Sequence, residues 1–339
     1  MESEFLDKLL KKAQAKKQRI AFPETDAERI LQAAERLVQL DAAIPVLIGE
    51  ESEIRGLAES IGVSLDGAEF VDNNDEALRA KVVEEYVACC TLLSEKNIAR
   101  KIRRRENFAI ALVKTGHCDC FVSGFQCTTA ETVFAARNII GMKEGIENVS
   151  GLNIVEASGW NGPEGGLLCV TDCVVTQDPD SEALADIAIS ACDAMSKMMG
   201  WEPRAAMLSY STKGSGGELD NVMKVVNAVK IANEKRPDLL IDGEFQLDAA
   251  IVPEVAAKKV KTDSKVAGRA NIIVFPDLNA GNIGAKIINI FGGYPDHGSL
   301  LVGLQRPCVD LTRSARVEQI VGASIMLAVV AQSDLKNEH

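Results

Sequence analysis

Aromatic residues, histidines and long apolar runs are all scarce in this sequence. Phe, Trp and Tyr make up only 4% of the 339 residues, so the core must consist mainly of Val, Ile, Leu and Ala, as buried parallel strands prefer. With only His117, His297 and His339, the sequence disfavours a Ser–His–Asp triad and offers a cysteine thiol no obvious activating base. No stretch approaches the ~18 consecutive apolar residues that a membrane span needs, so we expect no membrane association.

Basic residues are also fewer than acidic ones. The chain has 37 Lys and Arg against 49 Asp and Glu, a net charge of −12, which disfavours nucleic acid as a partner because phosphate backbones reward a basic surface. An anionic ligand must therefore be held by local donors. The charged, amphipathic stretch MESEFLDKLLKKAQAKKQR is not typical of a signal peptide. Nine cysteines, an odd number without repeated spacing, predict reduced thiols in a cytoplasmic protein.

Two groups of side chains raise the question of a metal site. Cys118 and Cys120 stand two apart in a predicted strand, without the second pair that a four-ligand zinc site needs. Asp242, Glu244 and Asp248 are possible ligands as well, but we prefer the interpretation that some cap the next helix and one pairs with a cation. We therefore expect no metal.

Short apolar runs alternate with longer segments of helical periodicity along the whole chain. This alternation predicts an α/β protein with βαβ units and a parallel sheet buried on both faces, and the length favours two domains. The predicted strands lie within residues 19–24, 44–49, 118–124, 166–172, 205–211, 238–244, 271–277 and 299–304. The Gly-rich segment EASGWNGPEGGL (156–167) is either an interdomain crossing or a hairpin.

Three predicted strands end in loops of small polar residues that lead into helices: SGFQCTTAET, SYSTKGSGGELD and FPDLNAGNIGAKI. Ligands of open α/β sheets bind where strands end, and helix N-termini favour anions. STKGSGG adds Lys213 to hydroxyls and amides, as a phosphate cradle would, although it lacks the Walker order. The alternative stays open that each loop is a plain turn, with Lys213 a solvated charge. KIRRR (101–105) is interpreted as the solvated face of a helix.

The segment VDLTRSARVEQIVGA places a carboxylate, a hydroxyl and a guanidinium within four positions, at Asp310, Thr312 and Arg313. Together with AAMLSYSTKGSG, DLLIDGEFQLDAAIVPEVAAKK and VAGRANIIVFPDLNAGNIGAKI, it resembles the phosphotransacetylase family, which interconverts acyl-CoA plus phosphate with acyl phosphate plus CoA. The resemblance implies a two-domain α/β/α sandwich, like isocitrate and isopropylmalate dehydrogenases, with a ligand cleft between the domains. It places residues 1–150 plus 297–339 in an N-terminal domain completed by the C-terminal segment, and residues 151–296 in the second. It also implies a homodimer without metal or tightly bound cofactor.

The family chemistry assigns roles to particular residues. A carboxylate takes the proton of the CoA thiol, the thiolate attacks the acyl carbonyl, and a Ser and an Arg in a DLSRG loop stabilise the transition state. This loop reads DLTRS here, so the resemblance gives Thr312 and Arg313 those roles. The predicted contacts to CoA, acyl phosphate and phosphate are Ser123, Gly124, Thr128, Thr129, Ser211, Lys213, Gly214, Ser215, Asn279, Gly281, Asn282 and Asp310.

The sequence departs from the family at three charged positions. Gln319 stands where the family has its proton-accepting Asp, and Glu318 beside it is the candidate base. Phe134 stands where the family has an Arg, for which Arg137 is the candidate substitute, and a further family Arg falls near Cys89. Three hypotheses follow: a phosphate acetyltransferase, an enzyme for propionyl or butyryl groups, and an impaired homologue that binds CoA or acyl phosphate as a sensor or subunit. A dehydrogenase is disfavoured because the G-x-G-x-x-G fingerprint is absent.

Overall fold

The computed structural model describes residues 3–294 and 296–334, and the chain forms two compact units. The first unit holds the described residues up to Met142 and from Leu304 onward, and the second holds Lys143–Gly303. The division predicted from the sequence, after residue 150 and before residue 297, stays a prediction. In the described part of the chain, no helix combines the length and apolar character needed to cross a membrane.

The described residues form eleven strands and thirteen helices. The strands are β1 (Arg19–Phe22), β2 (Ile44–Ile48), β3 (Glu69–Val71), β4 (Cys120–Ser123), β5 (Ser150–Glu156), β6 (Leu167–Thr171), β7 (Arg204–Leu208), β8 (Leu240–Phe245), β9 (Ile272–Val274), β10 (Asp296–Val302) and β11 (Cys308–Asp310). The helices are α1 (Glu4–Ala15), α2 (Glu28–Gln39), α3 (Glu51–Ser60), α4 (Glu76–Cys89), α5 (Glu95–Lys101), α6 (Arg105–Lys114), α7 (Thr129–Ile139), α8 (Ser181–Met199), α9 (Asp220–Lys235), α10 (Leu247–Ile251), α11 (Pro253–Lys259), α12 (Leu278–Gly292) and α13 (Val317–Asp334).

The first unit contains a parallel sheet in the order β3-β2-β1-β4-β11. Its strands read as apolar runs such as RIAF and CFVS because helices α2, α6 and α13 cover them. Parallel strands end at one edge, so the segments after β1, β4 and β11 emerge side by side. The candidate site of the first unit is built from these three segments.

The second unit contains a mixed sheet in the order β10-β5-β6-β9-β7-β8. The pairs β10–β5 and β5–β6 are antiparallel and the rest are parallel, so the prediction of a wholly parallel sheet was wrong for two pairs. The reason lies in the Gly-rich segment 156–167, which joins antiparallel β5 and β6 as a hairpin within this unit. The core of the unit packs Val170, Phe245 and Ile273 against the helices.

Candidate active site

The turn between β4 and α7 makes a close approach to the segment after β11. Gly124 has φ +96°, and a Cβ there would lie 2.3 Å from Asp310 Oδ1 and 2.7 Å from the backbone N and O of Leu311. Only glycine combines this left-handed backbone with so little space. Ser123, the last residue of β4, is buried and its carbonyl accepts the N–H of Leu311. The structure therefore brings together two segments that are almost 190 residues apart in the chain.

A buried carboxylate fills the concave backbone of the same turn. Glu24, just after β1, is 2% exposed, and it accepts the N–H groups of Phe125 (3.0 Å), Gln126 (2.7 Å) and Cys127 (3.0 Å). Three consecutive amides directed at one point form an anion nest. Since Glu24 already occupies this nest, a phosphate at the turn must use other donors. Glu24 was not predicted as a site residue, because in the sequence it is an ordinary carboxylate just after a strand.

Helix α7 begins with a complete capping box. Thr128 Oγ1 accepts the N–H of Glu131 (3.3 Å), and Glu131 Oε2 accepts the N–H of Thr128 (3.0 Å). The hydrogen bonds from Thr128 lower the pKa of Glu131, and the positive charges of Arg104 and Arg313 lower it further. Glu131 therefore stays ionised, with both guanidinium groups within electrostatic range of its carboxylate.

Asp310 connects β11 to the start of α7. The hydroxyl of Thr129 donates to Asp310 Oδ2 (2.6 Å), and Asp310 Oδ1 is buried. Burial raises the pKa of Asp310 to about 6; side-chain hydrogen bonds from Thr129 and Thr132 oppose this shift, and the negative charge of Glu24 adds to it. Asp310 therefore holds the two segments together at some cost in charge burial.

Thr312 and Arg313 follow in the exposed part of this loop. The hydroxyl of Thr312 lies 3.3 Å from that of Ser314. Within the described ranges, Arg313 makes no hydrogen bond or ion pair through its side chain, so its guanidinium is available to a ligand. The two residues to which the family resemblance assigns transition-state roles are thus at the surface, beside the turn that carries Ser123 and Gly124.

Gln319 has a structural role at the start of α13. Its Oε1 accepts the backbone N–H of Arg316 (3.0 Å), the residue just before the helix. This is one of the two hydrogen bonds of a capping box, the one in which the side chain of the third helical residue accepts the N–H of the residue before the helix. Glu318 is exposed and, in the part of the chain that the structure describes, makes no hydrogen bond or ion pair. Its predicted role as the base stays a prediction.

The first unit also contains a cavity of about 130 Å³ beside this turn. Lys101, Arg104, Ser123, Cys127, Thr132 and Phe134 are among its lining residues. The interpretation of residues 101–105 as one solvated helix face was wrong, because α5 ends at Lys101 and α6 begins at Arg105. The intervening turn brings two cations to the cavity. Arg137 is exposed on α7 and is not among the lining residues.

In the second unit, the STKGSGG loop is held by carboxylates of β8. Glu244, 2% exposed, accepts the hydroxyl of Ser211 (2.7 Å) and the N–H of Gly214 (2.8 Å). Lys213 pairs with Asp242 (2.6 Å). These internal partners take up donors that the phosphate-cradle prediction assigned to a ligand, while Gly214 and Ser215 remain exposed.

The third predicted loop packs the start of α12 against the end of β6. A Cβ at Gly281 would lie 2.1 Å from the carbonyl oxygen of Asp172, and Asn282 Nδ2 donates to the carbonyl of Cys173 (3.1 Å). Both residues are thus required by packing, whatever else they do. Asn279 is exposed.

The cysteines are mostly small buried residues, as predicted. None of the nine forms a disulfide bond, and seven are buried. Burial raises the pKa of Cys127 in the cavity wall to about 12, so it stays a thiol and is a poor nucleophile. In residues 3–294 and 296–334, no three His, Cys, Asp or Glu side chains are placed to hold a metal ion.

The chain is similar to known proteins along nearly its whole length. The sequence model of the family described as phosphate acetyl/butaryl transferase matches residues 4–328. A phosphate acetyltransferase of Bacillus subtilis (strain 168) is 40% identical over 321 residues, covering 94% of this chain and 97% of the relative. A phosphotransacetylase of Streptococcus pyogenes has a TM-score of 0.86 at 36% identity, covering 98% of this chain and 99% of that structure.

More distant structures confirm the dehydrogenase-like architecture. A putative 4-hydroxythreonine-4-phosphate dehydrogenase of Salmonella typhimurium has a TM-score of 0.54 at 14% identity, covering 93% of this chain and 99% of that structure, which shows the fold alone. The match of the family model, the identity to curated relatives and the shared fold agree with one another. The chain belongs to the phosphate acetyl/butaryl transferase family.

Proposed function

We propose that the chain interconverts acetyl-CoA plus phosphate with acetyl phosphate plus CoA. Family membership over residues 4–328 supports this activity. The observation that carries it is the junction of the β4–α7 turn with the loop after β11, where Thr129 donates to Asp310 and the Arg313 guanidinium is left unpaired by the described residues. A hydroxyl, a cation and a turn of small residues suit a small anionic acyl donor.

The reaction proceeds by direct transfer. The CoA sulfur, as thiolate, attacks the acyl carbonyl carbon, a C–S bond forms, and the C–O bond to the phosphoryl group breaks to release phosphate. Negative charge grows on the carbonyl and bridging oxygens, where the Thr312 hydroxyl and the Arg313 guanidinium stabilise it. The thiol proton goes to a base, or to solvent, since a few per cent of a thiol with pKa near 8.5 is ionised at neutral pH.

Glu318 is the proposed base because Gln319 cannot ionise and is engaged with Arg316. Glu318→Gln is expected to lower kcat by ~10²- to 10⁴-fold with little change in KM for CoA. Acetyl-CoA formation from CoA and acetyl phosphate is the measurement, with exposed Glu59→Gln on α3 as the matched control. If Glu318→Gln leaves turnover unchanged, Glu318 is not the base.

Two observations favour the alternatives. Phe134 puts an exposed aromatic ring at the cavity, which suits propionyl or butyryl phosphate, so butyryl phosphate is assayed in parallel and the ratio of kcat/KM values decides. The capping role of Gln319 favours an impaired homologue. Measurable CoA binding without turnover of either acyl phosphate would support that alternative and contradict the proposed activity.

We also propose a cytoplasmic homodimer without metal or tightly bound cofactor. The family resemblance and the nine free thiols support this assignment. Light scattering on the purified protein is expected to give twice the mass of one chain, and chelator treatment should leave activity unchanged. A monomer at assay concentration, or loss of activity with chelator, would contradict the corresponding part of the proposal.

A further inference from the structure

The loop that carries Thr312 and Arg313 is held at its two ends. Leu311 and Ala315 are buried, whereas the three residues between them are exposed. At the first end, the N–H of Leu311 donates to the carbonyl of Ser123 (2.7 Å), and the N–H of Ala315 closes the loop by donating to the carbonyl of Thr312 (2.9 Å). The position of the exposed side chains therefore depends on what holds Ala315.

The carbonyl of Ala315 accepts a hydrogen bond from Arg29 of helix α2. The distance from Arg29 Nη1 to this oxygen is 3.1 Å, and the two residues are 286 positions apart in the chain. An Arg side chain is always charged and offers five N–H donors in a rigid planar fork. A charged donor makes a stronger hydrogen bond than a neutral one, so Arg29 is a suitable anchor for this end of the loop.

The same guanidinium also contacts the other segment of the candidate site. Arg29 Cζ lies 5.5 Å from the centre of the ring of Phe125, in the turn between β4 and α7, a distance at which a guanidinium is attracted to an aromatic face. The N–H of Phe125 in turn donates to buried Glu24 (3.0 Å). Arg29 therefore contacts both of the segments that the bond between Thr129 and Asp310 joins.

The backbone from which Arg29 extends is well anchored. Arg29 is the second residue of α2, and it is followed by Ile30 and Leu31, which are both buried. Helix α2 packs against α13, the helix that follows the loop. A side chain on a packed helix holds its partners more precisely than one on a loop, so the contacts of Arg29 restrict where the loop can lie.

We propose that Arg29 is a positioning residue, which holds the loop bearing Thr312 and Arg313 against the β4–α7 turn. This inference rests on the proposed function and goes beyond it, because Arg29 acts through these two residues and makes no contact with the substrate. Its loss leaves the hydroxyl and the guanidinium of the loop in place chemically but lets them move from the reacting atoms. Small displacements of groups that stabilise transition-state charge lower the rate strongly.

Arg29→Met tests the assignment because it removes the charge and the donors and keeps an unbranched stem that packs well against the Phe125 ring. The value of kcat/KM for acetyl phosphate is expected to fall about tenfold, as for the loss of one hydrogen bond to a charged group, with the KM for CoA within twofold. Arg29→Lys keeps a charged donor and should recover part of the loss. Arg36→Met is the matched control, since Arg36 is exposed on the same helix and bonds to Gln39 of that helix (3.3 Å).

The Arg313→Ala background separates positioning from direct contact with the substrate. If Arg29 acts through the loop, Arg29→Met should lower kcat/KM by no more than about threefold in a protein that already lacks the Arg313 guanidinium, because coupled residues give non-additive losses. The same tenfold loss in both backgrounds would mean that the two arginines act independently, and the inference would then be wrong.

Amide hydrogen exchange of the peptides that cover residues 311–316 provides a readout that needs no turnover. In Arg29→Met this exchange should be about tenfold faster than in the wild type and in Arg36→Met, as for the loss of one such hydrogen bond, with the rest of the first unit unchanged. This result supports the inference even if the wild type is inactive. Unchanged exchange of these peptides, or equally faster exchange throughout the first unit, would overturn it even if the wild type is fully active. An inactive wild type together with unchanged exchange would contradict both proposals.

Discussion

Arg313→Ala is expected to lower kcat/KM for acetyl phosphate by ~10²- to 10³-fold, the usual effect of removing one donor that stabilises transition-state charge. The guanidinium is exposed in the loop after β11, without an ion-pair partner among the described residues. Its charge attraction to exposed Glu131 is weak at the surface, so thermal stability should change little from the wild type. Steady-state kinetics and a thermal melt measure the two effects separately.

The matched control for this variant is Arg316→Ala, which removes the same charge from the same exposed segment. Arg313→Lys should recover only part of the activity because an ammonium lacks the planar fork that binds two phosphoryl or acyl oxygens at once. Equal losses in Arg313→Ala and Arg316→Ala would mean that the loop contributes only general positive charge, and the assigned role of Arg313 would then be wrong.

Asp310→Asn is expected to stabilise the protein at neutral pH. Burial raises the pKa of Asp310 from 3.8 to about 6, so its ionisation in the folded state costs roughly 1–3 kcal/mol at pH 7. The favourable contribution of the protonated carboxyl is fully present below about pH 4 and is lost as the pH rises through about 6. An amide of the same shape can still accept from Thr129 and can donate to the hydroxyl of Thr132, which neighbours residue 310.

The signature of this effect is its pH dependence. The Tm of Asp310→Asn should exceed that of the wild type by several degrees at pH 7–8, and the difference should shrink as the pH approaches 4. Exposed Asp66→Asn is the control for a change in net charge. A difference in Tm that is independent of pH, or a less stable variant at pH 7, would show that the buried carboxylate is compensated in the folded protein.

Local patterns predicted most of the fold. All eight predicted strands exist, because each is a short apolar run bounded by turn residues. The strands that were missed are β3 and β11, of three residues each, and β5, which carries buried polar residues. In β5, Asn153 is stabilised by the hydroxyl of Ser299 on its antiparallel neighbour β10, a contact between distant segments that no sequence window contains.

The candidate site divides in the same way. Ser123 and Gly124 stand in a loop of small polar residues at a strand end, which is a local signal, whereas the roles of Thr312 and Arg313 came from the family resemblance. All four assignments stay predictions. The bond between Thr129 and Asp310 depends on the pairing of β4 with β11, which the sequence leaves unspecified. Charge runs were the least informative, since KIRRR has the same composition whether it faces solvent or lines a cavity.

The Glu24 carboxylate binds the amides of the β4–α7 turn as an anionic ligand would, although it belongs to the same chain. Its carboxylate, some hundred residues away in sequence, holds three amides that would otherwise be solvated or disordered. Glu244 accepts one hydroxyl and one amide of the STKGSGG loop in the second unit. Both loops are therefore ordered by bonds within the chain, so that binding a ligand costs little conformational entropy in ordering them. An inorganic anion would have to displace Glu24 to reach the three amides of the β4–α7 turn.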